Sequence, residues 1–281
     1  MRLATVMTDE GTSAAFIEAG EARLLAYADA GAVLAAQARG ESLIHRGEVG
    51  LDGLRFAPPV LRPEKIICVG LNYHAHAEEA GLAIPSHPLL FAKFSRAMIG
   101  AEDDIVIPVE TEKCDWEAEL ALVIGGQVRR ASAEDALGFV AGYTVVNDVS
   151  MRDWQKHTSQ MLPGKTFESS TPIGPWLVAP GDVDHGRNLD LSCTVNGVVM
   201  QSSNTADMIF SAAEVISYVS HVITLMPGDV IALGTPSGIG STRTPPLFLT
   251  PGDAVITEVE GIGALANACV ADDGTRSSRY V

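Results

Sequence analysis

The 281-residue chain is short of positive charge: 19 Lys and Arg stand against 35 Asp and Glu, a formal net charge of −16. Nucleic acids and anionic membrane surfaces both require a basic face, so neither is expected as a partner. No uninterrupted apolar run is long enough to span a bilayer, although 47% of the residues are hydrophobic. The opening MRLATVMTDEG lacks the basic start and apolar stretch of a secretion signal, which predicts a soluble cytoplasmic protein. Cysteine is scarce: Cys68, Cys114, Cys193 and Cys269 form no Cys-x-x-Cys and read as buried free thiols. Gly-x-Ser-x-Gly is missing throughout, which removes support for a serine-hydrolase elbow. The Gly-Lys-Thr of LPGKTFESSTPIGPW imitates a phosphate loop, but the glycine required five residues before Gly164 is Ser159, so nucleotide binding is not expected.

What is present reads as strands. RLATVM, SAAFIE and ARLLAY are short strand patterns, followed by an Ala-rich helix around Gly31 to Arg39. FAPPVLRPEK then places three prolines in ten residues, an extended connection and a plausible boundary. The chain accordingly divides into a small N-terminal α+β domain at 1–60 and a larger domain at 61–281. KIICVGLNY is a buried strand ending in a glycine turn, and Pro-Gly-Asp turns recur at 180–182, 227–229 and 251–253. Two helices are predicted in the larger part. One spans SMRDWQKH, where Ser150 and Asp153 have capping-box spacing. The other begins at Thr205 and carries an apolar stripe through Ile209, Ala213, Ile216 and Val219. The strand–helix alternation of a Rossmann fold is missing, so the fold class is mixed, strand-rich α/β.

In CDWEAELALVIG, strand alternation puts Glu117 and Glu119 on one face and Ala118, Leu120, Leu122 and Ile124 on the other. Two adjacent acids need a cation, either a metal ion or a cross-strand Lys or Arg. Asp148, where YTVVNDVS runs into the next helix, supplies a third carboxylate, unless it serves only to bond the first-turn amides. An all-carboxylate set suits a hard ion, Mg²⁺ or Mn²⁺, rather than zinc.

GLNYHAHAEEAG sets His76 and Glu79 three residues apart, on one face if the segment is helical. A histidine oriented by a carboxylate is a competent general base, with His74 as its rival. Gly81 and Pro85 bracket a segment able to act as a lid. Arg152 could bind a substrate carboxylate or pair with Asp148 or Asp153, and Gln155 lies on roughly the same side of the helix. Lys165, in a Gly- and Pro-rich loop, reads as a cation aimed at an anionic ligand. In ALGTPSGIG, Thr235 and neighbouring amides could hold a carboxylate.

These pieces, together and in order, resemble the fumarylacetoacetate hydrolase family, especially its shorter bacterial members and acylpyruvase-like proteins. The matching stretches are ICVGLNYHAHAEE, KCDWEAELALVIG, GYTVVNDVSMRDWQ, GKTFESSTPIGPW and ALGTPSGIG. The resemblance implies a mixed β-roll behind a small N-terminal domain, commonly dimeric. It also implies Glu117, Glu119 and Asp148 as metal ligands, and His76 and Glu79 as a water-activating dyad under a segment that orders over ligand. Lys165 would sit beside the substrate, with Tyr73, Arg152, Gln155 and Thr235 lining the pocket. The activity expected first is hydrolytic cleavage of a C–C bond in a 2,4-dioxo acid such as an acylpyruvate. Oxaloacetate decarboxylation and isomerisation of a hydroxyheptadienedioate are alternatives on the same site, and a non-catalytic 2-oxo acid binding protein is a remote one.

Overall fold

The computed structural model describes residues 1–274 and 279–280. Two sheets pack against each other with a few short helices around them, the strand-rich mixture that the sequence pattern calls for. The larger sheet has twelve strands and is centred on Ala118–Ile124. That strand is paired antiparallel with Val140–Asn147 on one side and Val230–Ala232 on the other. Val230–Ala232 in turn runs parallel to Ile66–Gly70, whose other neighbour is Leu89–Lys93. On the far side, Val140–Asn147 meets Thr171–Val178, and Arg2–Thr8 pairs with the end of that strand. The predicted N-terminal strands, Arg2–Thr8, Gly11–Glu18 and Glu21–Leu25, therefore extend the same hydrogen-bonded sheet.

Ala118–Ile124 is buried along its whole length because both of its faces are covered. Leu120, Leu122 and Ile124 point into the main core with Val145, Leu191 and Leu265. Ala121 and Val123 belong to a second cluster, with Ile66, Val146 and the Ala-rich helix Ala30–Ala38. The smaller, five-stranded sheet supplies the opposite wall of the main core. Its strand Ala254–Val259 alternates, Val255 and Val259 inward and Ile256 outward, as a one-sided strand must. All four cysteines are free and buried.

Both helix expectations in the larger part need correction. The first is one turn, Arg152–Gln155, preceded by a two-residue strand Ser150–Met151. Its capping box does not form: Ser150 Oγ donates to the Asp148 carbonyl, and Asp153 accepts from Thr111 Oγ1 and from the Glu112 amide. The second helix is Ala212–Val222, not a helix from Thr205. Ser211 and Glu214 form a true capping box there, a local signal that outweighs the apolar stripe reaching back to Ile209. Val222 is exposed, whereas Val215, Ile216 and Val219 face the core.

Candidate active site

The acids sit where two neighbouring strands end. Glu119 faces Val146 across the ladder, and the ladder is prolonged by the Asp148 amide donating to the Glu117 carbonyl at 2.8 Å. Asn147 Oδ1 accepts from the Glu117 amide and fixes the same corner. Glu117, Glu119 and Asp148 are thereby gathered with one ligand oxygen each, all within 4.8 Å of one another, and all three are buried. Three like charges out of water are tolerable only with compensation. Lys165 Nζ contacts Glu117 Oε2 at 2.5 Å and Asp148 Oδ2 at 2.7 Å. Lys93 Nζ contacts Asp148 Oδ1 at 2.6 Å, and Arg152 Nη1 contacts Glu117 Oε1 at 2.6 Å.

The compensation is uneven. Burial works to raise the Glu117 carboxyl, but Lys165 and Arg152 outweigh it and hold the group down to about 2. Glu119 receives only the Gly234 amide, at 2.9 Å, and has no ion pair among the described residues. Burial, then the charges of Asp148 and Glu117, push its carboxyl well above the usual range. Burial opposes the charge on Lys165, yet Asp148 and Glu117 keep its ammonium proton held more tightly than normal. A buried carboxylate lacking a counter-charge, next to two more carboxylates, fits a divalent metal ion held by Glu117, Glu119 and Asp148.

Arg152 pairs with neither Asp148 nor Asp153, the partners read from sequence. Its Nε donates to Asp115 Oδ2 at 2.8 Å, Nη1 also donates to Gln155 Oε1 at 3.1 Å, and Nη2 is buried with no partner. Lys165 ends the single turn Leu162–Lys165, whose Gly164 lies hard against Gln155. A Cβ at Gly164 would meet the Gln155 backbone nitrogen at 2.4 Å, which accounts for the glycine without any phosphate.

The predicted helical segment forms over His74–Glu79. His76 Nδ1 lies 3.2 Å from Glu79 Oε2. A carboxylate only accepts, so Nδ1 carries the proton and Nε2 is left as the basic nitrogen. The Gly238 amide donates to Glu79 Oε1 at 2.9 Å and holds the dyad against the Gly-rich segment. That segment does bind carboxylates, but they are the protein's own: Gly234 holds Glu119, Gly238 holds Glu79, and Gly240 and Ser241 hold Asp115. Thr235 donates to the Ala118 carbonyl and accepts from Gln201 Nε2.

A cavity of about 200 Å³ joins these groups, with His76, Glu117, Glu119, Arg152, Gln155, Lys165 and Thr235 in its wall. His74 is exposed and does not line it, which favours His76 as the base. Tyr73 does not line it either: its ring is in the main core, and its buried hydroxyl has no partner. Sequence reasoning missed Lys93, Asp115 and Gln201. Lys93 closes the apolar strand Leu89–Lys93 and is its one buried residue; a lysine ending an apolar strand was the available signal.

A model of the fumarylacetoacetate (FAA) hydrolase C-terminal family matches residues 65–270. The chain belongs to this family. The mitochondrial oxaloacetate tautomerase FAHD2A of Bos taurus is 44% identical over 261 residues, covering 92% of this chain and 80% of the relative. The fumarylacetoacetate hydrolase domain-containing protein 2 homolog of Dictyostelium discoideum is 46% identical and covers 80% of this chain and 77% of its own. Among solved structures, the fumarylacetoacetate hydrolase of Exiguobacterium antarcticum superposes with a TM-score of 0.87 at 32% identity, over 97% of this chain and all of that one. The 2-hydroxyhepta-2,4-diene-1,7-dioate isomerase of Mycobacterium marinum gives 0.82 at 33% identity, over 97% and 99%. The protein is thus an enzyme of this family, with tautomerase and isomerase relatives beside the hydrolases. No helix among the described residues is long and apolar enough to cross a membrane.

Proposed function

We propose that the protein is a divalent-metal-dependent tautomerase of oxaloacetate-type 2-oxo acids, interconverting keto and enol forms. The observation that carries this reading is the shared cavity: the His76 base, Glu117 and Glu119 line one small space, and Asp148 is gathered with the two acids within 4.8 Å. The 44% identity to an oxaloacetate tautomerase over 92% of the chain favours this reaction over the acylpyruvate cleavage expected from sequence.

Glu117, Glu119 and Asp148 would hold Mg²⁺ or Mn²⁺, since they offer only hard oxygen donors. When bound, the ion supplies Lewis acidity that makes negative charge on the C2 oxygen less costly. Glu79 keeps the proton on His76 Nδ1, so Nε2 takes the C3 proton of the keto form. The C3–H electron pair becomes the C2–C3 double bond, the carbonyl pair moves to oxygen, and that oxygen gains a proton as His76 gives up the one it took. Nothing is consumed, and the reverse path uses the same groups. Lys165 contributes fixed positive charge beside the developing anion, and the unpartnered Arg152 Nη2 is a donor for the C1 carboxylate.

Hydrolysis of a 2,4-dioxo acid is the second reading. The likeness to the Exiguobacterium hydrolase favours it, and the same dyad could activate water. Purified protein with Mg²⁺ or Mn²⁺ is to be tested on enol oxaloacetate and on acetylpyruvate. Rapid loss of enol absorbance without CO₂ release, and no cleavage of acetylpyruvate, is the expected result. Cleavage of acetylpyruvate with no tautomerisation would replace the first reading by the second. His76→Ala is expected to lower kcat by about 10²–10⁴-fold, the usual worth of a general base, and His74→Ala to leave it unchanged. The small N-terminal domain at 1–60, a homodimer and a cytoplasmic location belong to the same proposal; light scattering tests the dimer.

A further inference from the structure

The far part of the cavity has a chemistry that oxaloacetate does not use. Beside the acids and cations, its wall is made of Leu71, Leu82, Leu89, Phe91 and Met161. Leu82 is 58% and Leu89 38% exposed, and Leu71, Phe91 and Met161 are half-buried. Apolar side chains drawn together at the mouth of a catalytic cavity and left partly open to water cost free energy unless a ligand covers them. The cations in reach are already committed. Lys165 serves Glu117 and Asp148, Lys93 serves Asp148, and Arg152 serves Asp115 and Glu117 with a single unpartnered nitrogen. One free donor answers one carboxylate. Among the described residues lining the cavity, no further cation answers a second.

We propose that the site also tautomerises 2-oxo monocarboxylic acids bearing an apolar aryl or branched alkyl group at C3, with that group covered by the Leu71, Leu82, Leu89, Phe91 and Met161 wall. This rests on the tautomerase reading above and names a substrate class for it. The bond changes are those already described: the C3 proton passes to His76 Nε2, and the enol oxygen is protonated. Phe91 sits under the Lys165 ammonium, 4.9 Å from ring centroid to Nζ, so the apolar wall begins directly beside the charged end. A substrate with its carboxylate at one end and a ring at the other matches that order.

The test measures enol-to-keto conversion of phenylpyruvate and of oxaloacetate by the same metal-loaded protein. The expected kcat/KM for phenylpyruvate is within about tenfold of that for oxaloacetate. Leu82→Lys and Leu89→Lys place a cation on the wall at exposed positions that folding tolerates. Each is expected to lower the ratio of phenylpyruvate to oxaloacetate kcat/KM by about tenfold or more, on the scale of a lost apolar contact. Acceleration of oxaloacetate alone would overturn the inference and leave the tautomerase reading standing. Acceleration of neither would overturn both. Turnover of phenylpyruvate with a ratio unmoved in both variants would also overturn it, because the wall would then not be what recognises the ring.

Discussion

Asp115 is the residue whose removal should most disturb the site without touching a metal ligand. It is fully buried and accepts four hydrogen bonds: from the Trp116, Gly240 and Ser241 amides at 2.9, 2.7 and 2.9 Å, and from Arg152 Nε at 2.8 Å. The approach of Gly240 is so close that a Cβ there would sit 2.7 Å from Asp115 Oδ1 and 1.9 Å from the Leu247 carbonyl oxygen. Asp115→Ala leaves a buried guanidinium short of a partner, which costs about 3–5 kcal/mol. Stranding the Gly240 amide adds about 1–3 kcal/mol, partly overlapping with the first cost. A loss of about 4–6 kcal/mol is therefore expected, a large share of a typical domain's stability. Metal-free urea unfolding followed by fluorescence should show the midpoint falling at constant slope. In an Arg152→Met background the same substitution should cost about 2–3 kcal/mol less, because the stranded charge is gone. A loss below about 1 kcal/mol, or no coupling between the two positions, would refute this account of how the loop and Arg152 are held.

Two further outcomes follow from the geometry. Glu119 holds its proton in the metal-free protein to a pH well above the ordinary carboxylate range, and a metal ligand must be deprotonated. Uptake of Mg²⁺ or Mn²⁺ should therefore release a proton, and affinity should rise with pH until Glu119 is ionised in the free protein. Titration calorimetry in buffers of different ionisation enthalpy reads the proton directly, and an enthalpy independent of buffer would contradict it. Gly164→Ala forces a Cβ into the Gln155 backbone and should cost about 1–3 kcal/mol in urea unfolding. Because Lys165 is the next residue, kcat/KM should fall as well; unchanged stability would mean that the two single turns can separate freely.

The acid trio was legible because its signal is local. A period of two fixes the faces of Glu117 and Glu119, and the end of the neighbouring strand places Asp148 beside them. The same holds for the His76–Glu79 pair, which a single helical turn brings together. Lys93 and Asp115 were not legible, since their partners lie 55 and 37 residues away along the chain. The ion-pair alternative for Arg152, with Asp148 or Asp153, failed for a related reason. Sequence spacing favours Asp148 and Asp153, but the ladder register brings Asp115 and Glu117 under the guanidinium instead. The helix placed at Thr205 failed on competing signals, a periodic apolar stripe against a capping box six residues later, and the cap set the start.

Charge balance ties the site to what it can hold. Asp115, Glu117, Glu119 and Asp148 are four buried carboxylates, and Lys93, Lys165 and Arg152 are three buried cations. Fully ionised, the cluster carries one uncompensated negative charge, which the protein avoids by keeping the Glu119 proton. A divalent ion that displaces this proton leaves the cluster with one net positive charge. A single bound carboxylate then brings it to neutrality, the state of lowest cost in a low-dielectric cavity. A dianion would overshoot by one charge unless its second carboxylate stayed in water at the cavity mouth. The excess of acid over the whole chain makes that second charge still less welcome. Neutralisation of one of the three cations should thus weaken 2-oxo acid binding while strengthening retention of the metal. Lys93→Met separates the two effects, because Lys93 touches Asp148 and does not line the cavity.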